Sequence, residues 1–336
     1  MASTSLWLIW AVVLIALAFD YINGFHDTAN SIATTVLTGA LRIPWAILLA
    51  ASLNFTGAFF SKAVATTIGK GIVDPGILSL TTVLAALIGA IIWNLLTWWK
   101  GLPSSSSHAL IGGLVGAVAA QVGFQHFQVA GLKKVGLALL ISPLIGFLFG
   151  NLFMTALYWM FRHIGPGQLN RYFKFFQVLS AASMALSHGA NDAQKTMGII
   201  AMALVAGTAA PGAAELPIPF WVVFACASAM ALGTAGGGWR IIRTMGRNVL
   251  TLQPVHGFAA ETAGASVIFI ATAFGAPVST THVISSSVMG VGSCQRLNNV
   301  RWNIVRQIIF AWVLTLPASA LIAAGARWIL ALIPGL

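Results

Sequence analysis

Five stretches of this chain, residues 44–60, 77–99, 135–161, 220–235 and 308–326, contain no Asp, Glu, Lys or Arg. Each approaches the roughly 20 apolar residues that a helix needs to cross the hydrocarbon core of a bilayer. Composition agrees: 58% of the 336 residues are hydrophobic and 7% are charged, whereas a soluble domain carries about 25% charged residues. Lipid offers the backbone no hydrogen-bond partners, so a crossing segment must satisfy its own. The expected fold class is an all-α integral membrane protein.

The formal charge of +11 does not point to nucleic acid. No Lys/Arg run is dense enough to track phosphates, and the basic residues sit in short loops, where they orient a membrane protein. Cys226 and Cys294 lie in or beside apolar segments and suggest neither a disulfide framework nor a metal site. The N-terminal MASTSLWLIWAVVLIALAF is similar to a signal h-region, with Ala16-Leu17-Ala18 as a cleavage-like triplet. No positive charge precedes it, so it reads as a retained membrane segment.

Self-similarity organises the rest. GFHDTAN (24–30) matches GANDAQK (189–195), pairing Asp27 with Asp192. ATTIGKGI (65–72) matches IRTMGRNV (242–249), pairing Thr67 with Thr244 and Lys70 with Arg247. GLPSSSSH (101–108) matches GAPVSTTH (275–282), pairing Pro103 with Pro277 and His108 with His282. The three pairs keep one order, at offsets of 165, 177 and 174. The chain therefore reads as two related membrane repeats, 1–161 and 174–336, joined by a short cytoplasmic connector, 162–173.

The first repeat offers a broken crossing at 6–42, then 44–60, 76–99, 108–123 and 135–161. Five is odd, so the second repeat should be inverted, giving about ten membrane segments. The segments at 108–123 and 282–292 are short enough to be half-helices, so discontinuous helices or re-entrant hairpins are expected at the midplane. With residues 1–5 outside, the inside loops hold Arg42, Lys100, Arg162, Arg171, Lys174, Arg240, Arg243, Arg247, Arg296, Arg301 and Arg306. The outside then holds Lys62, Lys70, Lys133, Lys134 and Arg327. This bias favours both termini outside.

Six acids are present. Asp74 and Glu215 fall in loops and read as solvated charges. Asp20, Asp27, Asp192 and Glu261 fall within apolar context, where an ionisable group is costly and usually marks an ion or substrate path. A carboxylate capping a neighbouring helix would not explain the paired recurrence of Asp27 and Asp192. Asn23-Gly24 and the small polar residues after it predict a helix break beside Asp27, and the run from Ser187 to Asp192 reads the same way. Broken helices paired between two halves are the best sequence pointer to a transporter's central site.

The third motif supplies complementary chemistry. Ser104, Ser105, Ser106 and Ser107 precede His108, and Ser279, Thr280 and Thr281 precede His282. Each cluster follows Gly-x-Pro and opens a new apolar segment. Hydroxyls and free N–H groups at a helix start suit an oxyanion; ordinary capping is the plainer reading. Asp and Asn beside carbonyls suit a hard cation. Together the two sites have the electrostatic logic of cation-coupled oxyanion transport.

Gly24 to Asn30, Gly189 to Asp192 and the two Pro-Ser/Thr-His runs resemble the motifs of the PiT family of inorganic phosphate transporters, over essentially the whole chain. The resemblance implies an inverted-repeat symporter that imports inorganic phosphate with a cation, in a bacterial cytoplasmic membrane. By position, Ser105, Ser106, Ser107, Ser279, Thr280, Thr281 and Lys195 are the expected phosphate residues. Asp27, Asn30, Asn191, Asp192 and Glu261 are the expected coupling or central residues, and the first four are the expected Na+ ligands.

Two departures matter. Asn54 stands where animal members carry an acid, and Lys195 stands where the other repeat has Asn30. A lysine there could take the place of a bound sodium ion. His26, His108, His188 and His282 can titrate near neutral pH and are candidate proton relays, so H+ is preferred to Na+. No cofactor beyond the co-transported ion is expected. The expected partners are phosphate, or a neutral metal–phosphate complex, and the lipid bilayer, with no nucleic acid. A homodimer is compatible with the sequence.

Other readings explain less. An intramembrane aspartyl protease would use Asp27 and Asp192 but leaves the Ser/Thr-His pair unexplained. A Ser107–His108 hydrolase fails because adjacent residues rarely align as nucleophile and base. A channel is a third reading, which accumulation of substrate against its gradient would exclude. Sulfate is the rival substrate, because hydroxyls alone do not choose among oxyanions.

Overall fold

The computed structural model describes residues 2–208, 218–236, 252–297 and 300–334. Among the described residues, eleven α-helices follow one another: α1 (Ala2–Leu37), α2 (Ile43–Gly57), α3 (Ala63–Gly71), α4 (Leu80–Trp99), α5 (Ser106–Val122), α6 (Val129–Met160), α7 (Pro166–Thr208), α8 (Phe220–Gly236), α9 (Pro254–Ala273), α10 (Thr280–Ser293) and α11 (Trp302–Ala331). The β pairing among them is one isolated bridge, Val73 to Phe127. Stretches within α1, α4, α6, α9 and α11 are long and apolar enough to cross a membrane; α2, α5 and α8 are apolar but shorter. The repeat 242–249, Glu215 and most of the 211–219 loop lie outside the described residues.

The protein is inside out relative to a soluble domain. On α6, Leu137, Leu140, Leu144, Leu148 and Leu152 point outward, Leu140 being 71% exposed. Phe310, Val313, Leu321 and Trp328 do the same on α11. That spacing of three, four, seven or eight places them on one face, the face a lipid tail would cover. The inner faces pack through small residues. A methyl on Gly116 of α5 would strike the carbonyl of Ala320 on α11, and one on Gly290 of α10 the carbonyl of Phe147 on α6. Close backbone approach of this kind is how helices associate where the hydrophobic effect gives no drive.

Two apolar cores fill the interior. Leu8 to Phe19 of α1 and Ala193 to Ala203 of α7 belong to one. Ile32 and Ala33 of α1, with Phe173, Met184 and Ala185 of α7, belong to the other. So α1 runs from the first core to the second, and α7 runs back. Helices that carry matching sequence motifs thus run in opposite directions, as an inverted repeat requires. Between the cores lies a buried polar belt: Asp20, Asn23, His26, Asp27, Thr28 and Ser31 on α1, facing Ser187, His188, Asn191 and Asp192 on α7.

One expectation is corrected. The chain does not break at Asn23-Gly24 or between Ser187 and Asp192: α1 and α7 run helically through both motifs. The glycines serve packing instead. A methyl on Gly24 would strike the carbonyl of Met230, and one on Gly189 the carbonyl of Asn54; Gly233 meets Tyr21 and Gly57 meets Leu186 in the same way. These contacts repeat between the halves, Gly24 with Gly189 and Tyr21 with Leu186 at offset 165, Gly57 with Gly233 and Asn54 with Met230 at 176. The discontinuity sits in the third motif, where α5 and α10 begin deep inside the protein.

Candidate functional site

The starts of α5 and α10 converge. Ser105 and Ser279 are their N-caps, each with extended backbone and a hydroxyl accepting from the N–H three residues on, His108 at 3.1 Å and His282 at 3.2 Å. Ser105 Oγ also lies 2.8 Å from His108 Nδ1. The plainer reading of these two serines therefore holds: they cap. The next residues do something else. Ser106 donates to Asp27 Oδ2 at 2.7 Å, and Thr280, its counterpart, donates to Asp192 Oδ2 at 3.1 Å. Thr281 donates to Asp27 Oδ1 at 3.1 Å.

The symmetry is broken at one point. The counterpart of the Thr281–Asp27 bond would join Ser107 to Asp192. Lys195 stands between them. Its Nζ donates to Asp192 Oδ1 at 2.5 Å, to Ser107 Oγ at 2.5 Å and to the Val278 carbonyl at 2.8 Å. Both members of this ion pair are buried, Lys195 being 2% exposed. An ammonium held by a carboxylate, a hydroxyl and a carbonyl has the ligand set of a small hard cation. The mate of Lys195, Asn30, lies on α1, and its side chain lies outside the described residues.

Histidines complete the belt. His26 Nδ1–H donates to Asp27 Oδ1 at 3.0 Å, and its Nε2 lies 3.2 Å from Thr97 Oγ1. In the other half Asn191 Nδ2 donates to Thr272 Oγ1 at 2.8 Å, the mate of Thr97. His188 Nδ1–H donates to Asn54 Oδ1 at 3.0 Å, since the Asn54 amide nitrogen is already donating to Thr234. That leaves Nε2 of His188 facing Asp192 Oδ2 at 3.4 Å. A bare nitrogen lone pair against a carboxylate repels, so this position calls for a proton or a cation. Ligand atoms of Asp27, His188 and Asp192 all lie within 4.8 Å of one another, close enough for one ion.

Not every expected residue joins this cluster. Glu261 sits in its own cage on α9, accepting from Thr34 (2.5 Å), Thr35 (2.7 Å) and Gln177 (3.3 Å) at Oε1 and from Ser180 (2.5 Å) at Oε2. Thr34 lies seven residues past Asp27, two helical turns or about 10 Å. Glu261 thus ties α1 to α7 away from the carboxylate pair. His108 and His282 meet tilted, at 4.4 Å between ring centroids, and His282 stacks on Trp312 at 3.9 Å.

Several participants escape a reading of single motifs. Thr97 and Thr272 were recoverable from the repeat, because their offset of 175 falls among the others. Trp312 was not: tryptophans read as interfacial anchors, as at Trp7, Trp98, Trp99 and Trp302, yet Trp312 is an inner wall that donates to the Pro103 carbonyl at 3.1 Å. Cys226 is buried and Cys294 half-buried, and neither is in a disulfide.

Electrostatics limit what such a site can hold. Helices α5 and α10 bring free first-turn N–H groups and positive dipole ends to one point, beside two carboxylates and one ammonium. An oxyanion suits the helix ends, but the carboxylates repel it unless a further positive charge enters with it.

Known proteins share this sequence and this fold. A chain from Rhizobium meliloti (strain 1021), described as a probable low-affinity inorganic phosphate transporter, is 49% identical over 318 residues, 94% of this chain and 95% of that one. One from Bacillus subtilis (strain 168), with the same description, is 48% identical over 324 residues, 96% and 97% of the two. A solved structure titled the sodium-dependent phosphate transporter has a TM-score of 0.88, at 24% identity, over 97% of this chain and 99% of that one, which shows the shared fold. Relatives of this description are transporters, not enzymes. The profile of the Phosphate transporter family matches residues 23–166 and 162–323, and the chain belongs to that family.

Proposed function

We propose that this protein is a secondary active symporter that imports inorganic phosphate with a cation, by alternating access around the polar belt between α1 and α7. The observation that carries the reading is the convergence of two half-helix N-termini, one from each half, on Asp27, Asp192 and Lys195. Ser106, Ser107, Thr280 and Thr281 exchange their bonds to these charges for bonds to phosphate oxygens, while the helix ends offer free N–H groups. Two carboxylates beside a phosphate anion need a co-transported positive charge, which is the physical reason for coupling.

H+ is the proposed coupling ion. Lys195 supplies, covalently, a charge that a sodium ion could otherwise provide between Ser107 and Asp192. The contact from His188 Nε2 to Asp192 is favourable once that nitrogen holds a proton. The proposed setting is a bacterial cytoplasmic membrane with both termini on the periplasmic side. Asn191 and Glu261 hold α1, α7 and α9 in register around the site.

The test is uptake of radiolabelled phosphate into proteoliposomes, with excess unlabelled sulfate as competitor. Asp27→Asn and Asp192→Asn should each abolish uptake while the protein still inserts and purifies. Near wild-type uptake in both would overturn the site assignment, absence of phosphate uptake by the wild type would overturn phosphate as substrate, and suppression by sulfate would overturn selectivity for phosphate.

A further inference from the structure

The acid nearest the central pair takes no part in the site just described. Asp20 lies on α1, seven residues and about two helical turns before Asp27. It is fully buried, and neither carboxyl oxygen has a hydrogen-bond partner. Its surroundings share the deficit. Asn23 Oδ1, from the next turn of α1, and Thr196 Oγ1, from α7, are also buried and unpartnered. Both side chains lie beside the Asp20 carboxyl, together with the Cys226 thiol of α8. Thr196 directly follows Lys195 in the chain, so this cluster and the central site share one turn of α7.

Four oxygen atoms from three side chains thus gather here, and the contacts of Asn23, Thr196 and Cys226 with the carboxyl are weak ones that fall short of full hydrogen-bond geometry. Burying an unpaired carboxylate is expensive, and an unpartnered buried hydroxyl or amide adds to the cost. Oxygens sharing a cation need not be bonded to each other, so one positive charge satisfies all of them. Asp20 has no mate in the second half: at offset 165 the position is Ala185. A helix cap or a symmetric scaffold role is therefore not what places an acid here.

We propose that Asp20, Asn23 and Thr196 form a second cation site that takes up one coupling charge, H+ or Na+, apart from the phosphate site. The proposal rests on the symport reading above and adds a residue to its coupling step. The charged and titratable groups around it are few. Helix α7 brings Asp192, whose charge reaches Asp20, along with His188 and Lys195. Helix α8 brings Cys226, while α2 and α4 carry no ionisable side chain. Glu261 of α9 and the histidines of α5 and α10 face later turns of α1 or each other. Asp192 is paired with Lys195, and Asp27 accepts from His26, Ser106 and Thr281, so Asp20 is the carboxylate of the belt without a partner of its own.

Two modes of transport separate coupling from phosphate binding. Exchange of labelled for unlabelled phosphate, at equal concentrations and with no ion gradient, needs the phosphate site alone. Net accumulation also needs the cation to load and unload. Asp20→Asn proteoliposomes should retain exchange within about twofold of wild type and lose gradient-driven accumulation by about tenfold or more. Asp20→Glu should keep both. Wild-type accumulation under separate pH and sodium gradients decides which ion the site takes.

Full accumulation by Asp20→Asn would overturn the proposal. So would joint loss of exchange and accumulation in a variant that still elutes as a monodisperse species, because it would place Asp20 in the phosphate site. If Asp20→Asn does not fold, Thr196→Val replaces it, with the same expected split and the same overturning outcomes. A wild-type protein that neither exchanges nor accumulates phosphate would defeat the transport reading itself, and this inference with it.

Discussion

At the residue scale the protein is defined by where its two halves differ. Asp27 and Asp192, Ser106 and Thr280, and Thr97 and Thr272 occupy matching positions and make matching bonds. Lys195 does not match, and it fills the gap between Ser107 and Asp192. Removing one partner of a buried ion pair strands the other, at about 3–5 kcal/mol, while replacing both partners with apolar groups can be nearly neutral. Lys195→Met and Asp192→Leu should therefore each lower thermal stability in detergent sharply, and the double variant should melt higher than either single one. Additive losses would show that the two charges do not act as a pair. Lys195→Asn restores the residue of the first half. It should abolish sodium-independent uptake and, where sodium can occupy the opened position, leave the remainder stimulated by sodium. Sodium-independent uptake at wild-type rate would remove Lys195 from the coupling argument.

At the element scale the third motif was legible and the first was misread. Gly-x-Pro followed by hydroxyls and His marks a helix start, and α5 and α10 begin there. Asn23-Gly24 looks like a break because glycine weakens helices in water. Inside the membrane the same glycine lets α1 approach the backbone of α8, and the chain alone does not say which use it serves. Packing separates the two. Gly24→Ala or Gly189→Ala puts a methyl into a neighbouring backbone and should destabilise by about 1–3 kcal/mol. Gly136 of α6 has open space around its Cβ position, so Gly136→Ala should be neutral or gain up to about 1 kcal/mol from helix propensity. Thermal melting of the three variants in one detergent checks this. Equal behaviour would mean that the glycines do not set the helix contacts.

At the scale of the whole molecule the repeat carried most of what could be read. Two motifs at nearly constant offset identified the residues that meet, and an odd number of segments implied inversion. The antiparallel course of α1 and α7 between two apolar cores accounts for why paired motifs on distant segments form one polar belt. What the repeat could not reveal were its exceptions: Asp20, which has no mate, Glu261 in its separate cage, and Trp312, whose stacking on His282 depends on how α11, packed against α4 and α5, reaches the start of α10. Their surroundings are tertiary facts with no periodic signature. The central claim is that phosphate moves uphill here on a cation gradient, with Lys195 standing in for sodium. The most direct measurement is accumulation of radiolabelled phosphate in proteoliposomes under an inward proton gradient with no sodium present. The account predicts accumulation above the external concentration that collapses when the gradient is dissipated. Accumulation only when a sodium gradient is imposed, or mere equilibration under either gradient, would contradict it.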